Sequence, residues 1–393
     1  MDGEEIASQV RAGATHVLIA PDKFKGSLPA DEVADAIASG IQRLGSHIET
    51  DRCPVADGGE GTLAAAKYAG FRMVRMEVMG PTGDRLTAEY GERDGVALVE
   101  LAQAAGLRRL TESRPAPLTA STFGVGQLVE AAIRAGNSTV VLAIGGSAST
   151  DGGAGLVQAL GANLLDAGGE SLRPGGQALA EIDQIDLGQM RARLKGVKFV
   201  VASDVTNPLL GPEGAAAVFG PQKGASQGDI EVLESGLARW ASVVAQATGV
   251  DAAEWPGAGA AGGVGFGAMA LLRASIVPGA DVVLEMVDFA ERARVASLVI
   301  TGEGSLDEQT LFGKTPVRVA SAAKEAGVPT VAVAGRCTIP VDGLIALGIR
   351  RVYSLQALEP DHARSMANAS HLLERIGEQI AVTELGIQAE LRT

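Results

Sequence analysis

Short runs of β-branched and apolar residues alternate with Ala-rich amphipathic stretches along most of the chain. That alternation is the pattern of parallel strands joined by helices. Strands are predicted at His16–Ala20, Val140–Ile144, Phe199–Ala202, Leu298–Ile300 and Thr330–Val333, with weaker signals at Ile48–Cys53 and Arg72–Val78. Helices are predicted over Ala30–Leu44, Thr62–Tyr68, Gly124–Ala135, Ile230–Thr248, Pro316–Ala326 and His371–Val382. The middle departs from this rule. Leu86–Tyr90 and Val96–Leu101 alternate apolar with polar around Glu92–Gly95, as a hairpin does. The expected fold is α/β: a Rossmann- or flavodoxin-like parallel-sheet lobe with a second, mixed-sheet α/β domain inserted into it. Residues 1–78 and 287–393 are assigned to the lobe, and residues 79–286 to the insert.

Each predicted strand runs into a polar group. The first leads to Asp22, the weaker second to Asp57, Val140–Ile144 to Gly145 and Gly146, and Phe199–Ala202 to Asp204. Leu298–Ile300 leads to Gly302, Glu303 and Gly304, and Thr330–Val333 to Gly335 and Arg336. Ligands of open α/β sheets bind beyond the carboxyl ends of the strands. A polar site along that edge is therefore expected.

Gly-Gly-x-Gly occurs three times where a helix is due to begin, at Gly58–Gly61, Gly152–Gly155 and Gly262–Gly265. Glycine at a helix start leaves backbone N–H groups open to an anion. Asp57 and Asp151 precede two of the copies, and donors beside carboxylates suit a phosphate with its metal. The competing explanation is that the glycines only permit close packing.

Composition narrows the field. With 393 residues, two domains are the natural expectation. Aromatics are only 3% against a hydrophobic fraction of 46%, so Ala, Gly, Val and Leu build the core, as in tightly packed α/β enzymes. The net charge of −14 argues against nucleic acid or an anionic membrane as partner. A phosphorylated ligand then needs local cations. Two cysteines, Cys53 and Cys337, make neither a metal cluster nor a disulfide framework, which fits a reducing cytoplasm. Met1–Gly13 reads as a short helix or tail rather than a leader, and the Gly-rich stretch Trp255–Leu272 as a poor membrane span.

Among the motifs, Gly304–Thr315 ends like a Walker A loop, but Glu308 stands where that loop needs glycine. What remains is Lys314 to neutralise phosphate, with Glu303 and Asp307 as candidate magnesium ligands. Gly257–Gly262, GAGAAG, spells the dinucleotide fingerprint without a strand before it. Gly145, Gly146, Ser147 and Ser149 offer amide and hydroxyl donors as a phosphate nest. Asp22, Lys23 and Lys25 follow the first strand, where the lysines suit a carboxylate or a transferring phosphoryl group; a plain solvated turn is the alternative. Asp204 leaves a strong buried strand, a rigid place for a general base, unless it merely caps the Asn207-Pro208 turn. None of the four histidines lies in these segments, so a carboxylate base is expected.

The segments APDKFKGSL, PVADGGEGT, AIGGSASTDGGAG, SDVTNPLLG, GPQKG and TGEGSLDEQTLFGKTP run in one order from about residue 16 towards residue 380. In this the chain resembles the bacterial glycerate kinase family, the two-domain type that makes 2-phosphoglycerate. Thr150 stands where asparagine is expected, Gly80–Asp84 is an unusual form of its loop, and the acidic stretch to Ala14 is additional. The resemblance implies ATP, Mg²⁺, D-glycerate as substrate and an active site in the cleft between two domains. On that reading Asp204 is the base with Asp307 as runner-up, and Lys23, Lys25 and Lys314 neutralise charge. Asp22, Lys23 and Arg336 hold the substrate. Gly145, Gly146, Ser147, Ser149, Gly302, Gly304 and Lys314 cradle the nucleotide, and Asp57, Glu60 and Glu303 sit near the metal. The enzyme is expected to be a cytoplasmic monomer or homodimer. An NAD(P)-dependent hydroxy-acid reductase and a non-catalytic metabolite-binding protein on the same fold are the alternatives.

Overall fold

Val17, Leu18, Ile19 and Ala20 are buried in succession rather than alternately. A strand reads that way when helices cover both faces of its sheet. The computed structural model describes residues 15–110, 115–308, 310 and 314–387; the Met1–Gly13 tail and Gly313 of the Walker-like motif lie outside them. The chain makes β1 (His16–Pro21) and β2 (Glu49–Arg52), then leaves this sheet. It builds β3 (Arg72–Met79), β4 (Arg85–Arg93), β5 (Val96–Glu100), β6 (Thr139–Ala143), β7 (Asn163–Asp166), β8 (Ile182–Asp186), β9 (Lys198–Ala202) and β10 (Ser275–Val277). It then returns with β11 (Leu298–Leu306), β12 (Thr330–Cys337) and β13 (Ile349–Ser354).

Two compact units result, residues 1–56 with 283–393, and residues 57–282. The first holds a five-stranded parallel sheet in the order β13-β12-β11-β1-β2. Counted along this unit's own strands, that is the flavodoxin-like order, with its switch point between β1 and β11. On the helix Ala30–Leu44, Val33, Ile37 and Ile41 recur at four-residue spacing and are fully buried. They share a core with Leu372, Leu373, Ile376 and Ile380 of the helix Ala369–Leu385.

The second unit carries a six-stranded mixed sheet in the order β10-β9-β6-β5-β4-β3 and a two-stranded β7-β8 ribbon. β3, β4 and β5 are antiparallel neighbours, whereas β5, β6, β9 and β10 run parallel. The expected hairpin is β4–β5. The longest helix, Gln227–Thr248, begins with a Ser226–Asp229 capping box. It buries Trp240, whose indole N–H donates to the Gly152 carbonyl at 3.1 Å.

The division between units corrects the expected boundary at residue 79. All of β3 pairs with β4, from Arg72 opposite Glu92 to Met79 opposite Arg85. The helix Thr62–Tyr68 is also tied to this unit, because the buried Glu100 carboxylate accepts the Leu63 N–H at 3.0 Å. Among the described residues, no helix is long and apolar enough to cross a membrane.

Candidate active site

β11 pairs with β1 only as far as Pro21 opposite Gly302, then runs on beside β12 to Leu306. Glu303, Ser305 and Asp307 therefore stand just past the end of β1, at the switch point. Asp22 follows β1 directly, and its N–H donates to the Gly302 carbonyl at 2.8 Å. Its buried carboxylate accepts from Thr315 Oγ1 at 3.0 Å and lies 3.5 Å from Lys23 Nζ. Ser305 donates to Asp307 at 3.2 Å and accepts from Arg336 Nε at 3.0 Å. Lys314 Nζ is 3.8 Å from Asp307. Asp22, Lys23, Glu303, Asp307, Lys314 and Arg336, spread over more than 300 residues of sequence, thus meet at one sheet edge. Lys25 is exposed nearby, its backbone packed against Gly304.

Glu303 is the electrostatic centre of this group. Burial, assisted by Asp22 and Asp307, pushes its carboxyl from 4.5 up to about 7, against the hydrogen bond from Thr310 and the charge of Lys314. The raised value means the folded protein holds this proton more tightly than the unfolded chain does. The associated stability is complete below pH 4.5 and is lost as pH rises through about 7. After allowance for partial exposure it amounts to roughly 2–3 kcal/mol. Calorimetric unfolding from pH 4.5 to 8 is therefore expected to show this loss in the wild type and not in Glu303→Gln. Parallel curves for the two proteins contradict the assignment.

Gly302 and Gly304 do not form the expected phosphate loop, because both lie within β11. A Cβ at Gly302 would sit 2.2 Å from the Val333 carbonyl oxygen, so the glycine serves strand pairing.

A second polar edge lies at the carboxyl ends of β6, β9 and β10 in the other unit. Gly145, Gly146 and Ser147 follow β6, Asp204 follows β9, and Gly279 follows β10. The Gly279 N–H donates to the Asp204 carboxylate at 3.1 Å, which fixes that exposed side chain. The Asp57–Gly59 turn packs onto the same place: Gly59 sits against Gly145, and the Gly145 N–H donates to the Gly58 carbonyl at 3.3 Å. Glu60 lies beside Gly146 and is ion-paired with Arg108 at 3.1 Å. The exposed Gly146 has φ 77°, and neither its N–H nor that of Ser147 has a partner among the described residues. Ser149 differs from expectation. It is fully buried with its hydroxyl 3.0 Å from that of Ser147, so it braces the loop from inside.

The helix-start glycines are corrected in part. In the second copy every amide is taken, and in the first the Gly59 N–H is taken by the Asp57 carboxylate. Glu100 takes the Leu63 N–H after the first copy. Asp151, fully buried, accepts from Thr122 N and Oγ1 and from Gly153 N and Gly155 N around the second. Burial still leaves the Asp151 carboxyl above its usual value despite those donors. The third copy falls inside the helix Ala260–Leu272, where Ala261, Gly262 and Gly263 are left-handed, and the Gly262 carbonyl accepts the Gly152 N–H. Close packing is the main use of this pattern.

Sequence reasoning passed over three residues here. Glu100 ends an apolar strand and Gly279 sits in an unremarkable Pro-Gly pair, so neither carries a local signal. Lys223 does carry one, the GPQKG segment. It is buried, donates to the Ser149 carbonyl, and is pushed down to about 8 by burial, with Asp151 opposing the shift. The dinucleotide-like Gly257–Gly262 is preceded by no strand. The three proposed metal carboxylates are divided between the units, Asp57 and Glu60 in one and Glu303 in the other. Among the described residues, no three His, Cys, Asp or Glu side chains gather as a metal cage.

A flavodoxin-like sheet with cations and carboxylates at its switch point, carrying an inserted unit with a second polar edge, defines an α/β enzyme acting on small anionic molecules. The sequence model of the glycerate kinase family matches residues 17–384. The chain is 42% identical over 370 residues to a glycerate kinase of Halalkalibacterium halodurans, covering 93% of this chain and 97% of that protein. It is 42% identical over 342 residues to glycerate 2-kinase of Escherichia coli, covering 86% and 90%. A solved structure named for glycerate kinase 2 of Salmonella typhimurium LT2 superposes with a TM-score of 0.83 at 39% identity, over 95% of this chain and 99% of that one. This chain belongs to the glycerate kinase family.

Proposed function

We propose that the chain transfers the γ-phosphoryl group of ATP to the C2 hydroxyl of D-glycerate, giving 2-phosphoglycerate and ADP. The observation that carries this reading is the gathering of Lys23, Lys314 and Arg336 with Asp22, Glu303 and Asp307 at a sheet switch point. Substrate carboxylate and phosphoryl group are both anionic, and a chain of net charge −14 attracts them only through such local cations. Phosphoryl transfer asks mainly for positioning and charge neutralisation. Lys23 and Arg336 hold the glycerate carboxylate, and Lys25 and Lys314 face phosphoryl oxygens. The Gly146 and Ser147 N–H groups donate to phosphate, and Asp204 orients the attacking hydroxyl and takes its proton as the new O–P bond forms and ADP departs.

Magnesium fits the donor set. It binds through one or two carboxylates, water and substrate phosphate rather than a full protein cage. Glu303, whose carboxyl is pushed up to about 7 by burial, would hold it. When bound, the ion supplies neutralisation of phosphate charge. A cytoplasmic monomer or homodimer completes the reading. The reductase alternative lacks the strand its fingerprint requires.

Phosphorus NMR of the product formed from ATP, Mg²⁺ and D-glycerate tests the proposal. A new phosphomonoester signal split into a doublet by the single C2 proton is expected. A triplet, from a phosphate on the CH₂ carbon, refutes the regiochemistry, and no new signal favours a non-catalytic binding protein.

A further inference from the structure

Away from both polar edges, the 57–282 unit has a cavity of about 430 Å³ with a marked charge asymmetry. Arg191, Lys195, Lys198 and Arg273 line it, and no aspartate or glutamate does. None of the four is ion-paired among the described residues, and all are exposed. In a chain with 47 acidic against 33 basic residues, four unopposed cations around one hollow run against the composition. Its floor is apolar, with Met190, Phe199, Leu271 and Leu272 buried.

Helix ends account for only part of this charge. The helices Gly188–Arg193, Gln227–Thr248 and Ala260–Leu272 all finish at the cavity. Each carboxyl end carries roughly half a negative charge at most, so about 1.5 negative charges face four positive ones. Arg273 adds a second, independent observation. It caps the helix Ala260–Leu272 in the left-handed conformation, φ 55° and ψ 35°, where glycine is the ordinary choice. A side chain is sterically disfavoured there, because its Cβ crowds the following carbonyl oxygen. Strain of this kind is retained at positions with a task, and here it holds a guanidinium at the cavity wall.

The geometry points to a second ligand site, which takes a phosphorylated organic anion with a flat apolar body. Arginine forks suit phosphate oxygens, the apolar floor suits the body, and the volume lies in the range of small-molecule pockets. Pyridoxal 5′-phosphate is a probe of this chemistry, because its aldehyde condenses with a lysine amine, losing water, and borohydride fixes the imine as a secondary amine. The full-length protein, labelled at increasing probe concentration and mapped by peptide mass spectrometry, is expected to react at Lys195 or Lys198 with half-saturation at least tenfold below that of exposed Lys67 and Lys324. Arg273→Gly, which suits the left-handed backbone, should weaken that labelling at least fivefold while thermal stability holds or rises. Labelling of Lys195 and Lys198 no stronger than that of Lys67 and Lys324, or unchanged labelling in Arg273→Gly, overturns the proposal.

Discussion

Asp204→Asn is expected to reduce turnover with MgATP and D-glycerate by at least a hundredfold while leaving the Michaelis constants within a few-fold. Loss of a general base costs about 10²–10⁴ in rate. Asparagine keeps the shape of the side chain, and its amide oxygen still accepts the Gly279 N–H that fixes Asp204. The geometry of the turn is therefore preserved and only the proton acceptor is removed. A coupled assay of ADP release separates the outcomes. A variant close to wild type in turnover moves the base elsewhere, with Asp307 next to be tested.

Gly279→Ala is expected to disturb stability and activity together, because a Cβ at this position would lie 2.0 Å from the Asp57 carbonyl oxygen and 2.7 Å from the Gly58 nitrogen. Those are backbone atoms and cannot rotate away. Overpacking of this kind costs about 1–3 kcal/mol, and relief requires moving the Asp57 turn, the Asp204 contact or both. Turnover should fall at least tenfold under conditions where the variant remains folded. Gly228→Ala serves as the control. It lies in the first turn of the helix Gln227–Thr248, with nothing closer than 4.0 Å to the added carbon, and should stabilise by about 0.5 kcal/mol. Denaturant unfolding and turnover measured on both variants test the contrast. Equal behaviour of the two excludes Gly279 as the clamp between these turns.

The two sheets were legible in the sequence because their strands are buried β-branched runs and their helices carry a four-residue apolar repeat. The helices Ala30–Leu44 and Thr62–Tyr68 match the predicted bounds. β7, β8, β10 and β13 carry no such signal, since Asn163–Asp166, Ile182–Asp186 and Ile349–Ser354 are short and half polar, and Ser275–Val277 is three residues long. The boundary was misjudged because an edge strand such as Arg72–Met79 looks alike whichever sheet it joins; only its partner, β4, decides. The cations and carboxylates at strand ends were readable from the Rossmann-type rule that ligands gather there. What glycine does was not readable. Bare amides, close packing and strand pairing all select the same residue, and the choice depends on atoms far away in sequence, such as Glu100 beside Leu63 or Val333 beside Gly302. The Glu303 shift is likewise invisible locally, because it arises from burial with Asp22 and Asp307 as neighbours.

The interrupted path of the five-stranded sheet sets an order of events on the ribosome. β1 and β2 leave the exit tunnel early, yet β11, the other neighbour of β1, is made some 280 residues later. At a synthesis rate of about 5–20 residues per second, the nascent first strand waits roughly 10–50 s for it. Residues 57–282 are contiguous and can condense during that interval, so the piece encoded in the middle is completed before the one encoded at the ends.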